Sequence, residues 1–430
     1  MTSDNQVLLF WFRRDLRIED NVGLSAALES GMPVQPIFIF DNNITDDLPG
    51  NDSRITFIYD LLHGLNTELI EFGSSIKIYK GDPYFVFEKL FASKTIGGVF
   101  LNEDYEPYAI KRDRKVSELA QAQNVRYESF KDQVVFAKNE ILKPDNKPYT
   151  VYTPFKNKWL EKFDQLGLPE HKNPNVSNLV SGKAEFPTLE ELGFSRSGIT
   201  VPDFSIEVES TYASIRDIPA AAGTTYLSTH LRFGSVSIRK IFRQLKDSHG
   251  VLASELIWRE FFSQILYHFP KVIHESFKKQ YDGIDWLNNE DDFEKWCEGK
   301  TGYPIVDAGM QELNSTGLMH NRVRMITASF LCKHLLIDWR WGESYFASKL
   351  LDFDIASNNG NWQWVAGTGC DAAPYFRIFN PITQQQKFDP DFAYIKKWVP
   401  EFGSKEYIEP MVDHKLARTR ALEVYKVGIS

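Results

Sequence analysis

One stretch of this chain, from Asp352 to Trp364, concentrates the polar chemistry that a buried binding site needs. It reads DFDIASNNGNWQW and brings acids, amides and tryptophans together within about one helix and the turn before it. Buried polar groups need hydrogen-bond partners, so this set is too polar to be plain core. The partner that suits it is a large, flat cofactor with ring nitrogens, a carbonyl edge and hydroxyls.

A second segment places three interacting groups on one helical face. Glu255, Trp258 and Arg259 fall at positions i, i+3 and i+4. A carboxylate, an indole and a guanidinium in that arrangement can stack a planar base and bond its edge. A core tryptophan beside a surface ion pair has the same spacing, and both interpretations stay open at this point.

A third segment begins a helix after the break at Gly317. Asn321 and Met325 share one face of this helix. Basic side chains on it and beyond it form a local positive strip: Arg322, Arg324, Lys333 and Arg340. Such a strip fits phosphate contact, and it equally fits a solvated basic helix.

Three further features say little on their own. GTTYLS at 223–228 puts hydroxyls ahead of a helical pattern, which suits phosphate oxygens or an ordinary helix cap. The segment NPITQQQ at 380–386 is expected to form a polar loop that can line a cleft. Large aromatic residues are core residues by default, and this applies to three tryptophans: Trp286, Trp339 and Trp362.

The elements that must position these residues divide the chain into an α/β part and a helical part. Alternating apolar runs and amphipathic stretches predict parallel strands and helices over residues 1–130. Residues 131–205, rich in Pro, Asn, Lys and Gly, are expected to form a surface-running linker, and residues 206–430 a helical domain. The predicted strands are 7–12, 34–40, 75–79 and 97–101.

Composition excludes several classes of protein. The net charge of −9 gives no overall attraction to nucleic acid, so any DNA contact requires a local basic face. Three cysteines without metal-ligand spacing predict reduced thiols in a cytoplasmic protein. The first residues lack the pattern of a signal peptide, and no apolar run approaches membrane-spanning length. The first strand is followed neither by a Gly-x-Gly-x-x-Gly motif nor by a Walker motif, so a standard nucleotide site is not expected there.

Taken in order, these segments resemble the photolyase/cryptochrome family. The resemblance covers nearly the whole chain and is weakest across 131–205. It is carried by FWFRRDLRIEDN at 10–21, GTTYLS at 223–228, ELIWREFF at 255–262, GKTGYPIVDAGMQELNSTGLMHNRVRMITASFL at 299–331, DWRWGESYF at 338–346 and DFDIASNNGNWQWVAGTGCDAAPYFRIFNP at 352–381. It implies a Rossmann-like domain with a parallel sheet, joined by a long linker to a helical domain that binds FAD.

The resemblance also implies roles for individual residues. Asp352 and Asp354 match the acids at the flavin edge, Arg324 pairs with the first of them, and Asn358 lies beside flavin N5. The implied set of FAD contacts is Tyr212, Thr224, Thr225, Tyr226, Leu227, Ser228, Arg259, Arg324, Asp352, Asp354 and Asn358. A neutral amide at position 358 favours a reduced, repair-competent flavin, because it accepts a hydrogen bond without adding a negative charge.

Two further sets follow from the resemblance. Trp362, Trp339 and Trp286 match the family's electron-transfer chain, which reduces the flavin in light. Together with Asn358 and Glu255 they form the set to which we assign catalysis. The residues matched to DNA or the lesion are Arg216, Glu255, Trp258, Asn321, Arg322, Met325, Trp364 and Gln384. UV-damaged DNA is thus the expected partner of a monomeric lyase.

Within the family, the chain is most similar to the class I photolyases that act on cyclobutane pyrimidine dimers. A (6-4) photolyase carries a histidine pair where this chain has His320 and Met325. A signalling tail is not expected, and a blue-light photoreceptor of the cryptochrome type is the alternative. An electron-transfer flavoprotein without DNA would leave Trp258 and Arg322 without a role. Tyr108 and Ala109 replace the Asn-Glu pair of folate-binding relatives, so the identity of any second, antenna chromophore stays open.

Overall fold

The α/β part contains a single parallel sheet in the computed structural model, which describes residues 6–169, 174–221 and 223–429. Its strands are β1 (Val7–Phe12), β2 (Val34–Phe40), β3 (Lys77–Lys80), β4 (Ile96–Asn102) and β5 (Arg126–Phe130). The strand order is β3-β2-β1-β4-β5. The four predicted strands are confirmed: β1 and β2 have the predicted ends, and the ends of β3 and β4 shift by one or two residues. The fifth strand was not predicted.

Strand β1 shows why an apolar run without alternation forms a strand here. Leu8 and Phe10 belong to one buried cluster, and Leu9 and Trp11 to another on the opposite face of the sheet. Successive side chains of a strand point to opposite faces, so both faces of this sheet are covered. The helices between the strands are α1 (Val22–Glu29), α2 (Asn42–Thr45), α3 (Ser53–Glu71), α4 (Pro83–Ala92) and α5 (Pro107–Ala122).

The remainder of the chain is helical, as predicted. Its α-helices are α6 (Tyr152–Leu166), α7 (Glu209–Ile215), α8 (Leu227–Phe233), α9 (Ile238–Gln244), α10 (Val251–His268), α11 (Glu290–Glu298), α12 (Pro304–Thr316), α13 (Asn321–Ser329), α14 (Trp339–Lys349), α15 (Ile355–Ala366), α16 (Pro381–Phe388), α17 (Ala393–Trp398) and α18 (His414–Gly428). Short 3₁₀ turns lie at Val176–Asn178, Pro270–Ile273 and Lys279–Gly283, and one π-helical turn at Phe330–His334.

Two structural units result, and each is built from separate chain segments. The first comprises Met1–Glu140, Glu161–Pro202 and Leu227–Leu245, and the second Ile141–Leu160, Asp203–Tyr226 and Lys246–Ser430. The first unit therefore includes α8 and α9 beside the sheet. None of the helices among the described residues is both long enough and apolar enough to cross a bilayer.

A buried ion cluster fastens α9 within the first unit. Asp132 accepts hydrogen bonds from Arg17 at 2.7 Å and from Arg239 at 2.8 Å. Burial alone would raise the pKa of Asp132, but the two guanidinium groups lower it to about 2. Because breaking a buried ion pair leaves an uncompensated charge, these contacts hold α9 in one position.

The segment expected to run over the surface contains helix α6. Phe155 and Trp159 on this helix are buried, and Trp159 Nε1 donates to Glu260 Oε2 at 2.6 Å within the second unit. The Pro- and Asn-rich residues that flank α6 obscured its helical spacing. Part of the predicted linker therefore belongs to the buried core of the second unit.

Candidate functional site

Helix α15 begins directly after the two acids that the sequence analysis singled out. Asp354 is its N-cap and accepts a hydrogen bond from Ser357 N at 3.0 Å. A carboxylate there satisfies one free N–H group and interacts favourably with the helix dipole. Gly367 ends the helix in a left-handed conformation, with φ of 92°. The acids therefore lie at a capped helix start, where their orientation is fixed.

Asp352 is held by the arginine predicted to pair with it. Arg324 Nη2 lies 2.9 Å from Asp352 Oδ2 and 3.2 Å from Oδ1. Arg324 Nε also donates to the backbone oxygen of Met319 at 2.8 Å, which fixes the guanidinium plane. The Asp352 side chain is only 6% exposed. This pair presents a charged, ordered edge to a ligand without needing the ligand to order it.

Asn358 is held by Glu343, a residue that the sequence analysis did not single out. Asn358 Nδ2 donates to the Glu343 backbone oxygen at 3.0 Å and to Oε1 at 2.8 Å. Burial raises the pKa of Glu343, and the hydrogen bond from Asn358 offsets part of that rise. Because both bonds use the amide N–H groups, the carbonyl Oδ1 is the end of Asn358 left for a ligand.

Helices α10 and α15 pack against each other, which brings the predicted cofactor and lesion residues onto neighbouring elements. A Cβ at Gly360 on α15 would lie 2.1 Å from Phe262 Cδ1 on α10, so only glycine fits this approach. Asn359 and Gln363 both donate to the backbone oxygen of Val272, at 3.0 and 2.9 Å. The two helices are therefore fixed relative to one another.

The hydroxyl-rich segment forms the turn that leads into α8. Thr225 O accepts from Ser205 N at 3.0 Å, and Tyr226 has a positive φ of 52°. Leu227 and Ser228 begin α8, and Thr224 is half-buried. The turn before a helix is where the sequence analysis expected these hydroxyls.

Tyr212 lies apart from that turn, on α7, which packs against α10. Burial, followed by the charge of Glu255, raises the pKa of Tyr212 above its ordinary value. The phenol is therefore neutral and able to donate a hydrogen bond.

The three predicted electron-transfer tryptophans share one aromatic core. Trp362 and Trp339 are buried in it, and Trp286, which is half-buried, packs against it. Trp362 contacts the edge of Phe346 at a centroid distance of 5.0 Å, and a Cβ at Gly342 would lie 2.1 Å from its ring. Trp339 Nε1 is buried without a hydrogen-bond partner in the described part of the chain.

A further tryptophan of this core, Trp296, was not predicted as part of the site. Its ring centroid lies 6.2 Å from that of Trp362, and its Nε1 donates to Thr327 O at 3.1 Å. It belongs to the same core and is fully buried. Spacing could not have found it, because aromatic residues of a core and of an electron-transfer chain look alike in sequence.

The predicted lesion residues on α10 have partners within the second unit. Glu255 Oε1 lies 2.6 Å from Arg216 Nη1, which joins a predicted lesion contact to a predicted DNA contact. Trp258 stacks on Tyr152 of α6 with ring centroids 3.6 Å apart and planes 9° from parallel. Arg259, half-buried, completes this face of the helix. Tyr152 was not predicted as a site residue.

Helix α13 carries the remaining amide, sulfur and arginine candidates. Its N-cap is His320, whose Nδ1 accepts from Arg322 N at 3.2 Å. Burial lowers the pKa of His320 to about 4 although the charge of Asp217 opposes this, so the imidazole is neutral. Arg322 pairs with Asp217 at 2.8 Å, Asn321 is exposed and Met325 half-buried. The Arg322 side chain is thus only 17% exposed and already has a carboxylate partner, which a DNA phosphate would have to replace.

Gln384 lies on a helix, whereas the sequence analysis expected a polar loop at 380–386. That expectation was wrong because Asn380 caps the helix through Ile382 N at 3.0 Å and Pro381 occupies the first helical position, both typical of helix starts. Trp364 lies on α15, with the Arg377 guanidinium 5.9 Å from its ring.

Two protein-family models match segments of this chain. Residues 8–175 match the family described as DNA photolyase, and residues 251–404 match the FAD binding domain of DNA photolyase. The helical unit, with its acids, amide and buried tryptophans, is thus that of a flavoprotein.

Individual relatives extend the likeness over the whole chain. The chain is 37% identical to the deoxyribodipyrimidine photo-lyase of Vibrio cholerae, across 98% of this chain and 99% of the relative. A class III photolyase from Agrobacterium tumefaciens superimposes with a TM-score of 0.87 at 33% identity, covering 100% of this chain and 98% of that one. For an archaeal photolyase from Sulfolobus tokodaii with two FAD molecules the TM-score is 0.86 at 35% identity, covering 98% and 100%. The chain belongs to the DNA photolyase family.

Proposed function

We propose that this protein uses blue light to repair cyclobutane pyrimidine dimers in DNA, with FAD in its reduced form as the cofactor. The observation that carries this proposal is the fixed pairing of α15 with α10. The first helix presents Asn358 to a flavin, and the second presents Glu255 and Trp258 to a base. Neighbouring helices would thus hold the cofactor and the lesion side by side, as direct electron transfer requires.

The residues around Asn358 fit a flavin. When bound, reduced FAD supplies the excited electron that opens the dimer, and the protein supplies orientation and electrostatics. Asn358 Oδ1 is free to accept a hydrogen bond from N5–H, because Glu343 occupies the amide N–H groups. The Arg324–Asp352 pair holds a carboxylate at the ring edge. The hydroxyls of Thr224, Thr225 and Ser228, with Tyr212, suit the diphosphate and ribose.

The tryptophan set supplies electrons that keep the flavin reduced. We assign the order Trp362, Trp339, Trp286 to it, from the buried core outward. Trp339 Nε1 has no acceptor among the described residues, so a hole on this ring is not trapped by loss of its proton. Trp286 is half-buried, where water can take the proton. This gradient of exposure favours movement of the hole towards the surface.

The lesion is held by stacking, hydrogen bonding and local positive charge. Photolyases are among the enzymes that extrude their target base from the duplex, and damaged bases are cheaper to extrude because they stack poorly. Trp258 and Trp364 offer aromatic contact, Glu255 accepts hydrogen bonds, and Asn321 and Met325 complete the cavity. Arg216, Arg322 and Gln384 contact the DNA backbone, which positions the duplex without reading its sequence.

For the α/β domain predicted over residues 1–130, we propose a light-harvesting role with an antenna other than folate. Tyr108 donates to Asp41 Oδ2 at 2.5 Å, and Ala109 is buried. Neither position therefore offers the amide or carboxylate of the folate-binding pattern. A second FAD, as described for the archaeal relative, or a deazaflavin is consistent with that change.

We also propose that this protein is a cytoplasmic monomer whose three cysteines are reduced. Burial raises the pKa of Cys297 to about 12 and of Cys370 to about 11. It raises the pKa of Cys332 further, so all three thiols stay protonated and poorly reactive. The assignment to class I is a prediction as well, since a class III photolyase is among the similar structures.

Light-dependent loss of dimers tests the proposed function. The purified holoprotein is reduced, mixed with an oligonucleotide carrying one thymine dimer, and illuminated with blue light. We expect the dimer to disappear in light, to persist in the dark, and to persist in light when Trp258→Ala is used. A protein whose flavin is photoreduced while the dimer stays intact would instead be a photoreceptor of the cryptochrome type, the alternative function.

A further inference from the structure

We propose that Tyr152 is a positioning residue for lesion recognition: it forms a fixed aromatic platform behind Trp258 that leaves the lesion only the remaining indole surface. The inference rests on the proposed function and adds to it a residue outside the family's matched positions. Tyr152 begins α6, in the segment that sequence composition presents as a linker.

The stack between the two rings is unusually close. Their centroids are 3.6 Å apart and their planes 9° from parallel, whereas aromatic pairs commonly have centroids about 4.5–7 Å apart. One indole face is therefore covered by the phenol ring. Trp258 is only half-buried, so indole surface not covered by Tyr152 and by its helix neighbours Phe261 and Phe262 is open to a base.

The burial of the Tyr152 ring shows whether a ligand would displace the ring or bind beside it. A plug that mimics a base would be exposed and loosely held, but Tyr152 is 7% exposed. Its Oη lies 2.6 Å from Ser254 O and 2.8 Å from Ser254 Oγ, and its backbone N donates to Asp371 Oδ2 at 2.9 Å. Displacing the ring would break both hydroxyl contacts, while the backbone contact holds the start of α6 in place. Tyr152 therefore stays in place when a ligand arrives.

The anchoring contacts explain how the platform acts on Trp258. Ser254 lies one helical turn before Trp258 on α10, so Tyr152 spans the two positions on one helical face. The Tyr152 hydroxyl contacts Ser254, and the Tyr152 ring stacks on Trp258. The indole is thus held in one orientation before DNA binds. A side chain ordered in advance loses less conformational entropy on binding, and this advantage applies only to ligands that stack on it.

The test compares affinity for dimer-containing and undamaged DNA in the full-length holoprotein. Tyr152→Leu removes the stack, and we expect it to reduce the preference for the dimer by about tenfold, the scale of losing one stacking contact to a base. Tyr152→Phe keeps the ring and loses only the hydroxyl contacts, so most of the preference returns. Affinity for undamaged DNA, FAD content and photoreduction stay as in the wild type.

Tyr149→Leu is the matched control. Tyr149 is a half-buried tyrosine of the same segment, and its ring packs on Phe155 at 6.4 Å. This variant is expected to keep the full preference.

Tyr152→Leu with a wild-type preference overturns the platform role alone. If Tyr152→Leu does not fold, Tyr152→Met, which keeps an apolar side chain of similar length without an aromatic ring, decides in its place: a reduced preference for the dimer supports the role, and a wild-type preference overturns it. A wild-type protein without any preference would overturn the proposed function as well.

Discussion

Asn358 on α15 donates both of its amide hydrogen bonds to Glu343 on α14, one to the backbone oxygen at 3.0 Å and one to Oε1 at 2.8 Å. This relationship fixes which end of the amide faces the ligand. An asparagine without such a partner could present either a donor or an acceptor. The role proposed for residue 358 at the flavin therefore depends on the orientation that residue 343 gives its amide.

Glu343→Leu should destabilise the reduced flavin. The amide could then turn, and the acceptor for N5–H would be lost for part of the time. We expect reoxidation in air to accelerate about fivefold, the equivalent of one hydrogen bond of ~1 kcal/mol. Absorbance of the reduced flavin after illumination measures this rate. Glu343→Gln keeps an acceptor oxygen and serves as the control; equal rates in Glu343→Leu and wild type would remove the orienting role.

Trp339→Phe should abolish most of the photoreduction while leaving repair by pre-reduced protein largely intact. The middle ring of the chain is needed to carry electrons to the flavin but does not touch the lesion. Trp296→Phe is a matched control, because Trp296 is equally buried and packs on Trp362 without belonging to the proposed chain. Equal loss of photoreduction and repair in Trp339→Phe would place that residue outside electron transfer.

Arg322→Ala should weaken binding of damaged and undamaged DNA alike. A contact to phosphate carries no base information, so the preference for dimers stays unchanged. The slope of log affinity against log salt should fall by about 0.9, the value for one phosphate contact. Arg196→Ala removes a more exposed arginine that is likewise paired with an aspartate, Asp60, on the first unit, and should leave both quantities unchanged. A selective loss of dimer binding in Arg322→Ala would instead indicate direct lesion contact.

Lys333 should make folding stability depend on pH. It is fully buried in the π-helical turn, where its Nζ donates to Ala366 O at 2.8 Å and lies 3.5 Å from the Tyr425 ring. Burial lowers the pKa of Lys333 to about 7, from 10.5 in the exposed group. Between these pH values the unfolded chain binds a proton that the folded protein does not, so stability rises with pH.

Urea unfolding of wild type and Lys333→Met across pH 7 to 10.5 measures this effect. The free energy of unfolding of the wild type should rise, relative to that of the variant, by about 1 kcal/mol per pH unit in this interval. Groups other than Lys333 are common to both proteins, so their contributions cancel in the difference. Parallel curves would show that Lys333 keeps an ordinary pKa in the folded protein.

Elements with a clear apolar pattern in their own residues were predicted from the sequence. Elements that are stabilised mainly by contacts with distant segments were missed. Runs such as Val7–Phe12 are buried on both faces and are therefore visible as strands. Strand β5, Arg126–Phe130, lies at the edge of the sheet and has no fully buried residue, so its sequence resembles a loop. Helix α6 was obscured by its polar flanks, although Trp159 is fully buried.

The same division applies to the candidate site. Motifs indicated the residues proposed to contact a ligand, such as Asp352 and Trp258. They did not indicate the residues that orient these, because orientation depends on contacts between distant segments. Tyr152 lies 102 residues from its hydrogen-bond partner Ser254, and no spacing rule connects them. Glu343 lies within a recognisable motif, but its pairing with Asn358 exists only in the folded chain.

The fluorescence lifetime of the reduced flavin in the intact holoprotein tests the central claim most directly. Saturating DNA with one thymine dimer should shorten this lifetime, because the excited flavin loses an electron to a lesion held beside it by Trp258 and Glu255. Undamaged DNA of the same sequence, bound to the same extent, should leave the lifetime unchanged. A lifetime unaffected by bound dimer DNA would contradict electron transfer to the lesion, and with it the proposed repair activity.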